Sequence, residues 1–309
     1  LSKPRINLSL NPTYYCNFSC DFCYLTTEQL NDRTLLPIEV IVERVDELLD
    51  HFEIGHVDLY GGEVLLLPEE YLLAIKEIFL SRGINDIVLV TNLSHVPDLV
   101  HDSDFKISVS YDFSAREKHE KVFENIMLLS NKFVMLTLAS REFLDKVTPD
   151  EYVNTLASLP HLWHAEIKPY SSNQANVQPV SFKEFEEFVW QVINHPNRNF
   201  TFENEWQLED VISGERNAFS DDHVYITPTG DLAVLEFDSQ DREYFKVVDG
   251  ISGYLEWCEQ EKARVSMNAI CNACPYYGKC LSEHLREVVA LDESCNGFRG
   301  LIERWEKLK

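Results

Sequence analysis

Cysteine occurs in two blocks along this chain, and that placement restricts the fold more than any other feature. Cys16, Cys20 and Cys23 form one block, five cysteines lie between Cys258 and Cys295, and residues 24–257 hold none. Cysteines that merely fill a core do not segregate in this way. Three thiols within residues 16–23 require a loop that folds back on itself, and thiolate sulfur suits zinc, Cu(I) or an iron–sulfur cluster. Three protein ligands leave a fourth metal position open. In a cytosol-like sequence, eight cysteines point to metal or redox chemistry before disulfides.

The chain around the first block alternates short apolar strands with amphipathic helices. Strands are expected at Ile6–Leu10, His56–Tyr60, Asp86–Val90, Phe105–Ser110, Phe133–Leu138 and His164–Lys168. A helix between the first two carries Ile38, Ile41, Val42, Val45, Leu48 and Leu49 at helical spacing. Capping boxes are expected at Thr148–Glu151 and Ser181–Glu184. Phe182, Phe185, Phe188, Val189 and Val192 follow as the buried stripe of a helix. Six β-α units imply a parallel sheet with right-handed crossovers, an α/β partial (β/α)6 barrel short of the eight units that close one. Ligands of such sheets bind beyond the carboxyl ends of the strands. From Asn197 the pattern changes to a hairpin, His223–Thr227 and Asp231–Phe237 around Pro228 and Gly230, and then a cysteine-rich tail. The expected domains are therefore 1–196 and 197–309.

The cysteine loop reads C-x₃-C-x₂-C directly after the first strand. Tyr60, Gly61, Gly62 and Glu63 close the second strand, Thr91 and Asn92 the third, and Ser110, Tyr111 and Asp112 the fourth. Together these motifs resemble the radical S-adenosylmethionine (SAM) superfamily. The resemblance implies a [4Fe–4S] cluster on Cys16, Cys20 and Cys23, whose open iron chelates SAM and whose electron releases a 5′-deoxyadenosyl radical. It further implies that Gly61, Gly62 and Glu63 meet the methionine moiety, that Phe22 packs on adenine, and that Asn92, Ser110 and Asp112 belong to the cofactor site, with Ser110 at the ribose. Arg141, past the fifth strand, is a candidate for the SAM carboxylate. The chain departs from the family at Leu93 and Phe113, which stand where glycines are usual. The stretch from Ser110 to Leu129, with His119, Asn125 and Ile126, is similar to family members with extra clusters.

Four tail cysteines, Cys271, Cys274, Cys280 and Cys295, can close a second site, as zinc or as a cluster. Their spacing resembles the SPASM extension of the superfamily, or its shorter twitch form, which implies one auxiliary [4Fe–4S] cluster on these four. A second auxiliary cluster lacks ligands, since His284 and Leu235 stand where that pattern has cysteine. Leu235 is expected to pack as apolar core, and Cys258 to be a spare buried thiol.

Lys168 and Tyr170 end the sixth strand and are candidate catalytic or substrate-contacting residues. A net charge of −25 argues against nucleic-acid binding, and no apolar run is long enough to span a bilayer. The family resemblance implies radical chemistry on a ribosomally made precursor peptide: crosslinking, epimerisation or oxidation. A small-molecule dehydrogenase is the alternative, and a zinc-stabilised binding protein a remote one. An electron donor of the flavodoxin or ferredoxin type and a cytoplasmic location are implied as well. Because fifteen residues precede Cys16, any peptide-recognition domain is expected on a separate protein.

Overall fold

The computed structural model describes residues 3–170, 180–235, 244–282, 288–292 and 295–309. Strand β1 (Arg5–Leu10) buries Ile6, Leu8 and Leu10 on one face, and its alternate residues Asn7 and Ser9 point to the other. Parallel to it run β2 (Glu53–Leu59), β3 (Ile87–Thr91), β4 (Lys106–Ser110), β5 (Phe133–Ala139) and β6 (Leu162–Pro169), in sequence order. The expected strands are all present, with ends shifted by up to three residues. The helices between them pack their apolar stripes on the sheet. In the helix Ile38–His51 the buried residues are Ile41, Val45 and Leu48, and in Phe182–Ile193 they are Phe185, Phe188, Val189, Val192 and Ile193. Ser181 and Glu184 form the full reciprocal capping box. At Thr148 only one half forms, the side chain accepting from the Glu151 N–H.

The α/β partial barrel is thus the observed architecture, but its sheet is wider than six strands. A two-residue strand β7 (Thr201–Phe202) pairs parallel with β6, and β8 (His223–Ile226) pairs parallel with β1. Strands β9 (Leu232–Leu235) and β10 (Phe245–Val247) follow antiparallel. The order among the described residues is β10-β9-β8-β1-β2-β3-β4-β5-β6-β7, and the sheet does not close on itself. Hydrogen bonding therefore crosses position 197 at both edges. Strand β7 escapes a periodicity argument because two residues cannot display a period. What extends its pairing is a side chain: buried Asn204 accepts the Ile167 N–H at 2.9 Å and donates to the Ile167 carbonyl at 2.9 Å. Among the described residues, no helix is long and apolar enough to cross a membrane.

Asn204→Ala should leave both buried main-chain groups of Ile167 without these partners. The expected loss is about 1–3 kcal/mol of unfolding free energy, read by thermal or urea denaturation. An unchanged midpoint would mean that the side chain does not hold this edge of the sheet.

Candidate functional site

The loop after β1 lies across the carboxyl ends of the neighbouring strands because three backbone bonds tie it there. Tyr60 N–H donates to Leu10, Gly62 N–H to Thr13 and Glu63 N–H to Tyr15. Such close approach needs a residue without a side chain. A Cβ at Gly62 would stand 2.1 Å from the Tyr15 carbonyl oxygen and 2.5 Å from that of Tyr14, and one at Gly61 would stand 2.5 Å from that of Thr13. The close contact at this Gly-Gly pair is therefore with the cysteine loop itself.

Glu63 is buried and fixes the ends of β2 and β3 to each other. One carboxylate oxygen accepts from Thr91 Oγ1 at 2.6 Å and Leu65 N–H at 3.0 Å, and the other from Asn92 N–H at 2.6 Å. Burial pushes this carboxyl above its ordinary range, and the three donors pull it back. Asn92 continues the network into the loop, its Nδ2 donating to Asn17 Oδ1 at 3.1 Å and lying 3.7 Å from Cys16 Sγ.

Cys16, Cys20 and Cys23 line one cavity of about 190 Å³. The same cavity is lined by Phe22, Gly61, Gly62, Glu63, Asn92, Ser110, Asp112 and Lys168, so eleven sequence-selected residues from separate strand ends converge. Burial pushes Cys16 up to about 12 and Cys23 to about 11, and it raises Cys20, where the nearby Arg116 cation pulls the other way. These thiols keep their protons at neutral pH until a metal displaces them. The donor set, three thiols lining one cavity, fits an iron–sulfur cluster with an open position. Among the described residues, no three His, Cys, Asp or Glu side chains converge as one bare metal ion would need.

Two sequence candidates lie outside the cavity. Arg141 is paired with Asp145 at 2.7 Å and with Glu184 at 2.9 Å, which holds it on the helix ends. Tyr170 is buried past the end of β6. A guanidinium does line the cavity, but it is that of Arg116. Its Nε donates to Asp112 at 2.7 Å, and its carbon lies 5.4 Å from the Phe22 ring centre. Asp112 in turn accepts from Leu138 N–H at 2.6 Å, joining β4 to β5. The i,i+4 spacing of Asp112 and Arg116 was the sequence signal for this pair. Tyr24 and Tyr244 also line the cavity, stacked at 4.5 Å, with the Tyr24 hydroxyl donating to the Gly61 carbonyl at 2.5 Å. Leu93 and Phe113 are both buried with φ of +50° and +53°. Both therefore adopt the left-handed backbone that glycine accepts without strain.

In the tail, Cys271, Cys274, Cys280 and Cys295 line a second, small cavity of about 30 Å³. Asn268 caps the short helix Ala269–Asn272, accepting from Cys271 N–H at 3.0 Å and donating to the Val288 carbonyl at 3.1 Å. A Cβ at Gly297 would stand 2.6 Å from Cys280 Sγ. Burial pushes Cys280 up to about 12. Cys258 does not line this cavity; it is buried on the helix Gly250–Ser266 beside Tyr254. Leu235 differs from its expected place in the core: it is half-buried on the wall of a third cavity, lined mostly by polar residues. His284 lies outside the described residues.

Residues 10–124 match the model of the Radical SAM superfamily. The GTP 3′,8-cyclase of Staphylococcus carnosus is 32% identical over 99 residues, covering 30% of this chain and 28% of that protein. A probable GTP 3′,8-cyclase of Saccharolobus islandicus is 27% identical over 126 residues, 39% of each chain. The chain thus spans well under half the length of these curated relatives. Among solved structures, anSMEcpe with bound AdoMet and the Cp18Cys peptide superposes with a TM-score of 0.68 at 15% identity, over 99% of this chain and 100% of that one. Streptococcus suis SuiB bound to its precursor peptide SuiA gives 0.64 at 15% identity, over 91% and 71%.

Gly62→Val should strip the cysteine loop from β2, because its side chain must occupy the space of two backbone carbonyls. The expected outcome is loss of iron at the first site after anaerobic reconstitution, about four irons per chain fewer for a [4Fe–4S] cluster. Full iron content in this variant would show that the loop tolerates displacement.

Proposed function

We propose that this chain is a radical SAM superfamily enzyme that matures a peptide substrate, with Cys16, Cys20 and Cys23 as ligands of its SAM-binding [4Fe–4S] cluster. The observation that carries this reading is the convergence on one cavity of the three thiols with Gly61, Gly62, Asn92, Ser110 and Phe22. When bound, such a cluster supplies the electron that cleaves SAM and so starts hydrogen-atom abstraction from the substrate.

The chain's own residues have separable tasks in this scheme. The Gly61–Gly62 backbone brings β2 against the cysteine loop, and Glu63 and Asn92 keep the loop in register. Phe22 offers an apolar face to adenine, with the Arg116 guanidinium stacked near it. Ser110 offers a hydroxyl to the ribose. Arg116 is the guanidinium inside the cavity, so the carboxylate role expected of Arg141 falls to the edge of Arg116 that Asp112 does not engage. Lys168, which lines the cavity and lies 3.6 Å from Glu166, faces the substrate, and buried Tyr170 supports the end of β6.

We assign Cys271, Cys274, Cys280 and Cys295 to one auxiliary cluster, within the tail region 197–309. The electron enters from a flavodoxin- or ferredoxin-type donor. Support for a peptide comes from the likeness along nearly the whole chain to anSMEcpe and SuiB, both described with bound peptides. The higher identity to GTP 3′,8-cyclases favours a second reading, a small-molecule substrate, but it covers at most 39% of the chain.

Replacing Cys16, Cys20 and Cys23 together with alanine should remove about four of about eight irons and abolish reductive SAM cleavage, read by iron assay and chromatography of 5′-deoxyadenosine. Undiminished cleavage, or stoichiometric zinc in place of iron, would exclude the assignment.

A further inference from the structure

The third cavity, of about 320 Å³, lies across the open side of the sheet, between β6 with the helix Glu203–Ser213 and strands β1, β8 and β9. Lys168 lines both this cavity and the cysteine cavity, so the two share a wall residue. The seam is strongly polar: Arg216, Asp210, Glu215, Asp222 and His223 face it with Lys168.

Arg216 feels the carboxylate of Glu203 only at longer range. Among the described residues its guanidinium makes no ion pair within 4.0 Å, and its Nε is buried without a hydrogen-bond acceptor. A buried donor of this kind costs stability unless an acceptor reaches it. Other cations near the barrel are answered: Arg116 by Asp112, Arg198 by Glu205, and Arg44 by Glu47. His223, beside it, is held by Ser9 at 2.9 Å, and burial keeps it below its ordinary range, so it stays neutral and adds no cation at pH 7.

From this arrangement we infer that the seam cavity is a substrate-anchoring site in which Arg216 grips a carboxylate of the substrate. The planar guanidinium fork matches a carboxylate bidentately. Phosphate presents similar oxygens, but Asp210, Glu215 and Asp222 in the same cavity disfavour a dianion more than a monoanion. Those carboxylates are also placed to accept N–H groups beside the bound carboxylate, as a peptide provides. A substrate anchored at Arg216 runs past Lys168 toward the three cysteines. This inference deepens the peptide-maturation reading and rests on it for the order of the two cavities, but carboxylate binding at Arg216 is testable without any turnover.

The test uses the cluster-reconstituted full chain and ligand-detected NMR with four probes: N-acetylglycine, its neutral amide, N-acetylaspartate amide and inorganic phosphate. The expected result is binding of one or both carboxylate probes, at least tenfold weaker binding of the amide and of phosphate, and a tenfold or greater loss in Arg216→Gln. N-acetylglycine alone would assign a chain terminus, and N-acetylaspartate amide alone an acidic side chain. Arg216→Lys should retain part of the affinity, and Asp222→Asn should raise it several-fold by removing a like charge. Equal binding of acid and amide, phosphate binding as tight as carboxylate, or carboxylate binding unchanged in a folded Arg216→Gln would each overturn the inference. SAM cleavage by the wild-type chain, measured on the same preparation, judges the enzyme reading separately.

Discussion

A buried carboxylate holds this site together. Glu63 places one oxygen between Thr91 and Leu65 and the other on the Asn92 N–H, so the ends of β2 and β3 cannot separate without leaving three donors and a buried carboxyl group without partners. Asn92 then reaches Asn17 inside the cysteine loop, and Gly62 and Glu63 pin the same loop through its backbone. The three thiols thus share a cavity because strand ends are locked first and the loop is clamped onto them. A second lock of the same type, Asp112 bridging Arg116 and the Leu138 N–H, fixes β4 to β5. Carboxyl groups that each hold several donors tie the strand ends together, and here they do what further packing could not, because the carboxyl ends of the strands must stay open for ligands.

The open sheet has a structural consequence. Strands β8 and β9, with the helix Gly250–Ser266, pack beside β1 rather than forming a detached unit, and the seam this leaves is polar instead of apolar. Leu235 sits on that seam, in a cavity it shares with Arg216, Lys168 and three carboxylates.

Much of this was legible in the sequence, for physical reasons. The six central strands are apolar runs bounded by breakers, and the cysteine spacing, the Gly-Gly pair and the strand-end polar residues are local patterns. What local patterns carry poorly is long-range pairing. Nothing around His223–Ile226 says that it will lie parallel to β1, and Thr201–Phe202 is too short to announce a strand that Asn204 completes. The same limit explains the two arginines. Arg141 follows a strand end as a ligand residue should, yet Asp145 and Glu184 claim it. Arg116, in the connection after β4, is the one that turns inward. Leu93 and Phe113 stand where glycines were expected, yet both keep the left-handed backbone, so the loop geometry outlasts the change of residue.

The claim on which the rest turns is that the Cys16, Cys20 and Cys23 site keeps one metal position open to SAM while the tail site is closed. EPR of the dithionite-reduced protein, recorded with and without SAM, tests it most directly in a variant with Cys271, Cys274, Cys280 and Cys295 replaced by alanine. The expected result is a single reduced [4Fe–4S] signal whose g-values move on adding SAM. A cluster signal indifferent to SAM, or no cluster at the first site, would contradict it.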